Sequence, residues 1–251
     1  MERITSRTNP LMTHIRKLSS SAGYRREQGE FVCDSPKLLA EALQWNARIL
    51  TVVTTAEMQL PPLPQGVRVV EVPEDVMASV SPMKTPQGVL FTCRLPETTL
   101  PETLDGKRYM VLDGVQDPGN VGTIWRTADA FACDGLVLLP GCADPYSPKT
   151  VRSSMGAVFR SSVWAASAQE MKTVLANSGI PLYGAALRDD TLDARCVDYS
   201  RAALAIGSEG RGLSEEMLQL CDRTIRIPMT ERCESLNAAI AATVLLWEAY
   251  R

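Results

Sequence analysis

Three short blocks in the second half of the chain constrain its fold more strongly than any other feature. Each block runs from an apolar stretch through a tight polar loop into a segment with helical spacing, and the blocks cover residues 112–126, 206–214 and 227–237. Backbone groups at strand ends and helix starts are free to bind ligands, and α/β proteins place their ligands there. Three such corners in one half of a chain predict a single composite ligand site.

Apolar strand patterns and helical patterns alternate regularly through this half of the chain. Strands are predicted at residues 109–112, 135–139, near 163, 182–185, 203–206 and 224–227, and helices at 120–131, 149–155, 169–177, 214–220 and 235–250. Alternation of this kind indicates an α/β fold in which a parallel sheet is covered by helices on both faces.

The first half predicts a smaller unit with its own strands and helices. One helix begins near Asn9, another opens at Pro36, and strands are predicted at residues 30–33, 49–54, 67–72 and 88–93. Residues 95–106 contain two prolines and no periodicity, which is typical of a linker. We therefore expect domains at residues 1–95 and 109–251, joined by a linker at 96–108.

The composition is that of an ordinary globular protein, with 45% hydrophobic and 22% charged residues among 251. No apolar run approaches the roughly 20 residues that span a bilayer. The first residues lack the apolar core of a signal peptide. We therefore expect a cytoplasmic location and no membrane partner.

Cysteine and histidine usage argues against metal chemistry. The seven cysteines are scattered without any Cys-x-x-Cys, and His14 is the single histidine. This pattern predicts reduced, mostly buried thiols and no metal site. Mechanisms that depend on histidine would have to use His14, which lies far from the three blocks in sequence, so they are disfavoured.

The charge is unevenly distributed, although the net charge is only −3. Residues 1–26 contain one acidic residue, Glu2, against six basic ones: Arg3, Arg7, Arg16, Lys17, Arg25 and Arg26. A solvated helix face and a surface that contacts phosphates both explain this segment. We carry the six residues forward as candidate phosphate contacts.

The blocks do not fit the common phosphate-binding loops. The glycines of the first block, Gly114, Gly119 and Gly122, are five and three residues apart, which is not the dinucleotide-binding pattern. No Gly-Lys-Ser/Thr is present for a nucleoside triphosphate, and Glu209 stands inside the glycine-rich loop 207–212, where it would repel a phosphate. The loops therefore predict a ligand without phosphate.

Five polar side chains stand at the corners: Asn120, Arg126, Glu209, Ser235 and Asn237. Simple structural roles explain some of them equally well. Asn120 and Ser235 are good helix N-caps, and Arg126 could form a structural ion pair. Glu209 in a glycine-rich turn is harder to explain by structure alone.

Taken together, the blocks resemble the three motifs of the SpoU-type RNA 2′-O-ribose methyltransferases of the SPOUT superfamily. The first half is similar to the ribosomal-protein-like RNA-binding domain of that family, at residues 6–11, 25–32 and 81–89. One departure is visible, because Asp34-Ser35 stands where the family commonly has Glu-Gly.

The resemblance implies S-adenosylmethionine as methyl donor, bound bent in a deep C-terminal trefoil knot, and a homodimer with the RNA site near the two knots. It places five residues at the donor: Gly207, Ser208, Gly210, Ile227 and Leu236. It assigns the reactive cluster to Arg126, Glu209, Ser235 and Asn237, with Asn120 holding the first loop. The apolar stripe of the last helix then forms core or a dimer face.

The implied substrate is RNA, because DNA lacks the 2′-hydroxyl. Ribosomal RNA is favoured over tRNA by the two-domain layout. A guanidinium is a poor base, so we expect Arg126 to orient and polarise the hydroxyl, with a phosphate as proton acceptor. The alternatives are a tRNA 2′-O-methyltransferase, a non-catalytic knotted RNA-binding protein and a nicotinamide-dependent oxidoreductase.

Overall fold

The computed structural model of the protein describes residues 2–188, 190–230, 232 and 235–251, and these divide into two units. The N-terminal unit contains the chain up to Pro96 together with Tyr146–Arg160. The C-terminal unit contains Glu97–Pro145 and Ser161–Arg251. Each unit is described separately below.

These boundaries differ from the predicted ones in two places. Residues 97–107 are not a free linker, since they belong to the C-terminal unit and Leu104 is buried in its core. Tyr146–Arg160 leaves the second half of the chain and packs in the N-terminal unit. Neither feature has a local sequence signal, because both depend on contacts between residues far apart in the chain.

Residues 2–96 contain five strands and four helices: β1 (Glu2–Arg3), α1 (Pro10–Ser20), α2 (Ala22–Gln28), β2 (Glu30–Asp34), α3 (Pro36–Gln44), β3 (Ile49–Thr54), β4 (Arg68–Glu71), α4 (Glu74–Val80) and β5 (Val89–Arg94). The predicted strands are confirmed, whereas β1, α2 and α4 were not predicted. The strands form one sheet in the order β1-β4-β3-β5-β2, in which β5 runs antiparallel to β3 and β2.

The rest of the chain continues with β6 (Arg108–Asp113), α5 (Pro118–Ala130), β7 (Gly135–Leu138), α6 (Pro148–Ser154), β8 (Ser162–Ala165), α7 (Ala168–Asn177), β9 (Leu182–Ala185), β10 (Leu192–Asp193), β11 (Ala202–Gly207), α8 (Glu215–Leu220), β12 (Arg223–Arg226) and α9 (Ala238–Tyr250). Short 3-10 turns lie at Ala157–Phe159 and Ala194–Cys196. Among the strands and α-helices in the described part of this half, β10 alone was not predicted.

The two faces of the N-terminal sheet have different partners. On one face, Val32, Val53 and Leu90 pack in a core with apolar side chains of α1 and α4. Successive strand residues point to opposite faces, so Phe31 points the other way, and its ring lies 5.0 Å from that of Tyr146. Segment Tyr146–Arg160 therefore covers the second face within this unit.

The C-terminal unit is built on a seven-stranded sheet in the order β10-β12-β9-β11-β6-β7-β8. All its strand pairs are parallel, which confirms the predicted α/β fold. Strand β11 lies between β9 and β6, and all six of its residues are buried, as expected for a near-continuous apolar strand in a parallel sheet. The carboxyl ends of β6, β9, β11 and β12 meet at one edge of this sheet.

No helix within the described ranges is both long enough and apolar enough to cross a membrane.

Candidate functional site

A cavity of about 400 Å³ opens at the carboxyl edge of β9, β11 and β12, beside the start of α9. All five residues that the resemblance placed at the donor line it: Gly207, Ser208, Gly210, Ile227 and Leu236. Glu209 and Ser235 also line it. The structure thus brings the second and third blocks to one cavity.

Some lining residues were missed in the sequence. Ala185 ends β9, and Ala186 and Leu187 follow it. Arg226 directly precedes the third block, and Met229 lies within that block but was not singled out. The sequence could have indicated Ala185, Ala186 and Leu187 as lining residues, because β9 was predicted and the carboxyl ends of parallel strands share one edge of the sheet. The position of β9 next to β11 was not predictable from local patterns.

Loop 207–212 is closed by two backbone hydrogen bonds. The Ser208 N–H donates to the Gly212 carbonyl at 3.0 Å, and the Gly212 N–H donates to the Ser208 carbonyl at 2.9 Å. A Cβ at Gly207 would overlap the backbone of Gly212 and Leu213, whereas a Cβ at Gly210 would meet no heavy atom within 4 Å. Glycine at position 207 is therefore required by close backbone approach.

A chain of side-chain hydrogen bonds connects all three blocks at this cavity. Asn120 Nδ2 donates to Glu209 Oε1 at 2.6 Å, and Asn237 Nδ2 donates to Asn120 Oδ1 at 3.2 Å. These residues are 89 and 117 positions apart in sequence. The three blocks therefore meet at this edge of the sheet, and their joint action as a ligand site stays a prediction.

Asn237 sets the direction of this chain of hydrogen bonds. Its Oδ1 caps α9 by accepting from the N–H groups of Ala239 at 2.9 Å and Ile240 at 3.3 Å. Only its Nδ2 is left to face Asn120, so Asn120 must present its oxygen to Asn237 and its Nδ2 to Glu209. The Glu209 carboxylate is therefore fixed as an acceptor.

The helix caps differ from the predicted ones. Helix α5 begins at Pro118 and is capped by Asp117, whose Oδ1 accepts from the Asn120 N–H at 3.0 Å. Helix α9 is capped by Asn237. N-capping, the structural alternative considered for Asn120 and Ser235, is therefore not the role of either residue.

Asp113 is a further connection that the sequence did not single out. Its carboxylate, at the end of β6, accepts from the Ser214 N–H at 2.6 Å. Ser214 in turn caps α8 through its Oγ. The first and second blocks are thus joined at a second point, which holds the strand ends in register around the cavity.

The Arg126 side chain is exposed on α5 and forms no hydrogen bond or ion pair with any residue in the described ranges. The structural ion pair considered for it is absent there. The chain of hydrogen bonds through Asn120, Glu209 and Asn237 does not include it. Its guanidinium is available to a ligand.

Thiol and histidine chemistry is not favoured at this edge of the sheet. Burial raises the pKa of Cys142 and of Cys221 to about 11, so both thiols are protonated at neutral pH. His14 lies in the N-terminal unit, where its ring nitrogens contact Tyr24 Oη at 2.9 Å and Glu30 Oε2 at 3.3 Å. No group of potential metal ligands occurs among the described residues.

Three of the six basic candidates near the N-terminus are engaged within their own unit. Arg3 pairs with Glu71 at 3.5 Å, and Arg7 pairs with Asp75 at 2.7 Å. Arg16 donates to the Arg7 carbonyl at 2.5 Å. Their charges are partly compensated, although Arg3 and Arg7 remain exposed.

The other three basic candidates, Lys17, Arg25 and Arg26, differ in exposure. Lys17 and Arg26 are exposed, and the Lys17 ammonium lies 5.4 Å from the centre of the Tyr24 ring. Arg25 is only 4% exposed and donates from Nη1 to the Leu18 carbonyl. The expectation that Arg25 contacts RNA is therefore corrected, because a guanidinium this buried serves the packing of α1 against α2.

Comparison with known proteins places the chain in a family. The model described as the SpoU rRNA Methylase family matches residues 107–247, and that of the MRM3-like substrate binding domain matches residues 9–90. A relative from Bacillus subtilis, a 23S rRNA (guanosine(2553)-2′-O)-methyltransferase, is 31% identical over 98% of each chain.

Solved structures agree. An AdoMet-bound rRNA methyltransferase from Sinorhizobium meliloti is 32% identical, covers 99% of this chain and 97% of its own, and superimposes with a TM-score of 0.87. The SpoU methyltransferase AviRb from Streptomyces viridochromogenes, in complex with AdoMet, is 27% identical, with 97% of each chain covered and a TM-score of 0.87. Because one family model matches more than half of the residues, this chain belongs to the SpoU rRNA methylase family.

Proposed function

We propose that the protein transfers a methyl group from S-adenosylmethionine to a ribose 2′-hydroxyl of ribosomal RNA. The observation that carries this proposal is the hydrogen-bonded chain Asn237–Asn120–Glu209 beside the cavity lined by Gly207, Ile227 and Leu236. The choice of ribosomal RNA is supported by the full-length relative that acts on 23S rRNA.

The cavity fits the donor in size and chemistry. A volume of about 400 Å³ lies in the range of small-molecule sites, and much of the wall is backbone and apolar side chain. Glu209, at the wall, disfavours phosphate but tolerates a cation. Gly207, Ser208, Gly210, Ile227 and Leu236 would hold the donor, which supplies an electrophilic methyl group on a positively charged sulfur.

Arg126 is the residue proposed to act on the ribose. Its guanidinium is exposed and without a partner in the described part of the chain, so its donors can reach RNA. A guanidinium stays protonated, and Arg126 therefore orients and polarises the 2′-hydroxyl while an RNA phosphate accepts the proton. Ser235 and Asn237 complete the reactive cluster, and Asn120 holds Glu209 in place.

A homodimer is part of the proposal. Helix α9 is apolar around most of its surface, and it exposes Ile240, Trp247 and Tyr250. The Phe131 ring at the end of α5 lies 5.5 Å from Trp247 and 5.7 Å from Tyr250, which extends the apolar surface. A second copy of the chain covering this surface would remove it from water. Sedimentation velocity measures the oligomeric state.

The remaining parts of the proposal concern topology and location. We infer a trefoil knot formed by the loops at the carboxyl edge of the sheet, as the match to the SpoU rRNA Methylase family implies. We also propose that the reaction takes place in the cytoplasm, as expected from the sequence.

The proposal is tested with labelled S-adenosylmethionine and purified rRNA or tRNA, followed by mapping of 2′-O-methylated positions. We expect one labelled rRNA nucleotide. Replacing Arg126 by Ala should lower turnover by about 100-fold, the scale expected when a charged group that contacts the transition state is removed, while donor affinity stays unchanged.

Three outcomes of this assay would contradict the proposal. Labelling of tRNA instead of rRNA would favour the tRNA alternative. Binding of donor and RNA without transfer would favour the non-catalytic alternative. Wild-type turnover by Arg126→Ala would remove Arg126 from the mechanism.

A further inference from the structure

Trp45, at the end of α3 in the N-terminal unit, is 48% exposed. An exposed tryptophan offers a large, flat apolar ring as a contact surface. One side of the ring is engaged by Arg160, whose guanidinium carbon lies 5.9 Å from the ring centre. We call Trp45 and Arg160, with Glu41 beside them, the Trp45 platform.

The platform is held in place by its own contacts. Arg160 forms an ion pair with Glu41. A Cβ at Gly156 would lie 2.8 Å from the Glu41 carboxylate and 2.9 Å from Arg160 Nη1, so glycine at this position leaves room for the pair. Gly156 also has a φ of 93°, which favours glycine. Arg160 is therefore positioned before any ligand arrives.

Two cationic residues lie close to the platform in sequence. Lys37 lies four residues before Glu41 on α3, and Arg48 lies three residues after Trp45. Both side chains are exposed, and neither forms a hydrogen bond or ion pair within the described ranges. The two nearby acidic groups are each paired with arginine, Glu41 with Arg160 and Asp34 with Arg152 at 2.7 Å. The free charges here are cationic.

This surface differs from the basic N-terminal segment. Helices α1 and α4 cover one face of the sheet. Segment Tyr146–Arg160 covers the other, and its arginines join it to Asp34 and to Glu41 of α3. The Trp45 platform therefore lies on the opposite side of the N-terminal unit from Lys17.

We propose that the Trp45 platform binds an unpaired nucleobase of the substrate RNA, stacked on the open face of Trp45, with Lys37 and Arg48 contacting the flanking phosphates. The inference rests on the proposed function, since it assumes an RNA substrate. Aromatic and arginine planes are the usual stacking surfaces for unpaired bases, and the cations match the phosphate backbone.

The test measures affinity of the full-length protein for a fluorescent 20-nucleotide single-stranded RNA and for a duplex of equal length. Trp45→Ala should weaken single-strand binding by about 5- to 20-fold, the loss of one stacked base, and leave duplex binding unchanged. Trp45→Phe should retain most of the affinity. Leu192→Ala, which removes an exposed apolar side chain from the C-terminal unit, is the matched control.

Unchanged single-strand affinity in Trp45→Ala, or equal loss on single strand and duplex, would overturn the inference. A change in oligomeric state without a change in RNA affinity would assign Trp45 to a protein interface instead. Donor binding and methyl transfer by the wild type are measured in parallel, so a failure of the proposed function is seen separately from a failure at Trp45.

Discussion

The three blocks of the C-terminal unit and the basic segment of the N-terminal unit were both predicted to bind ligands, and the structure treats them differently. The blocks converge, since Asn120, Glu209 and Asn237 form one chain of hydrogen bonds beside one cavity. The basic residues near the N-terminus do not form one surface, since Arg7 pairs with Asp75 while Arg25 is buried.

The difference reflects what each prediction was based on. A block combines residue type with position at a strand end, and a parallel sheet brings such ends together. The number of basic residues in a segment does not show which of them pair with acidic residues elsewhere in the chain. Acidic residues far along the chain, such as Glu71 and Asp75, then neutralise part of the predicted surface.

The largest expected effect on donor binding is at the close backbone contact between Gly207 and Gly212 in the second block. Gly207→Ala places a Cβ against the Gly212 backbone, which cannot move aside like a flexible side chain. We expect loss of S-adenosylmethionine binding by at least about 100-fold, with a lowered melting temperature, since overpacking costs about 1–3 kcal/mol or more. Calorimetry and thermal unfolding measure both.

Gly210→Ala is the matched control for this substitution. A Cβ there meets no heavy atom within 4 Å, so donor affinity should change by less than about threefold, in line with an ordinary surface substitution. Equal losses of donor affinity in the two variants would mean that loop flexibility, and not the close contact between Gly207 and Gly212, determines donor binding.

The next effect separates helix capping from catalysis at Asn237. In Asn237→Asp the cap of α9 is kept, because Asp is as good a cap as Asn. The Nδ2 donor is lost, and a carboxylate then faces the Asn120 oxygen. We expect kcat to fall by about 10- to 100-fold with little change in stability, because Glu209 loses its fixed orientation.

Asn9→Asp provides the comparison for capping alone. Asn9 caps α1 with the same backbone angles as Asn237, φ −53° and ψ 141°, and accepts from the Leu11 N–H at 2.8 Å. Its substitution should change neither kcat nor stability appreciably. Wild-type kcat in Asn237→Asp would show that the hydrogen-bonded chain is not needed for turnover.

The smallest effect concerns two neighbouring arginines of the basic segment. Arg26→Gln should weaken RNA binding slightly and reduce its salt dependence by about one counterion, with unchanged stability. Arg25→Gln should lower stability by about 1–3 kcal/mol through the unpaired Leu18 carbonyl, with unchanged salt dependence. Binding at several salt concentrations and urea unfolding distinguish them, and a reversed pattern would contradict the burial argument.

Local patterns predicted most elements of the fold but not their ends. Asn120 and Ser235 looked like caps because both residue types commonly cap helices, yet Asp117 and Asn237 perform that function. A cap depends on which residue adopts extended backbone angles, and several neighbouring polar residues can do so. The role of each predicted site residue in binding and catalysis stays a prediction.

The sequence by itself determined the alternation of strands and helices, the parallel sheet and the three loops that carry the site, because these follow from short-range periodicity. Tertiary structure decided that Tyr146–Arg160 packs in the N-terminal unit, that Arg25 is buried, and that the Asn237 cap orients Glu209 through Asn120. The physical reason is distance along the chain. Pairing between residues about one hundred positions apart depends on strand order, which no local pattern encodes.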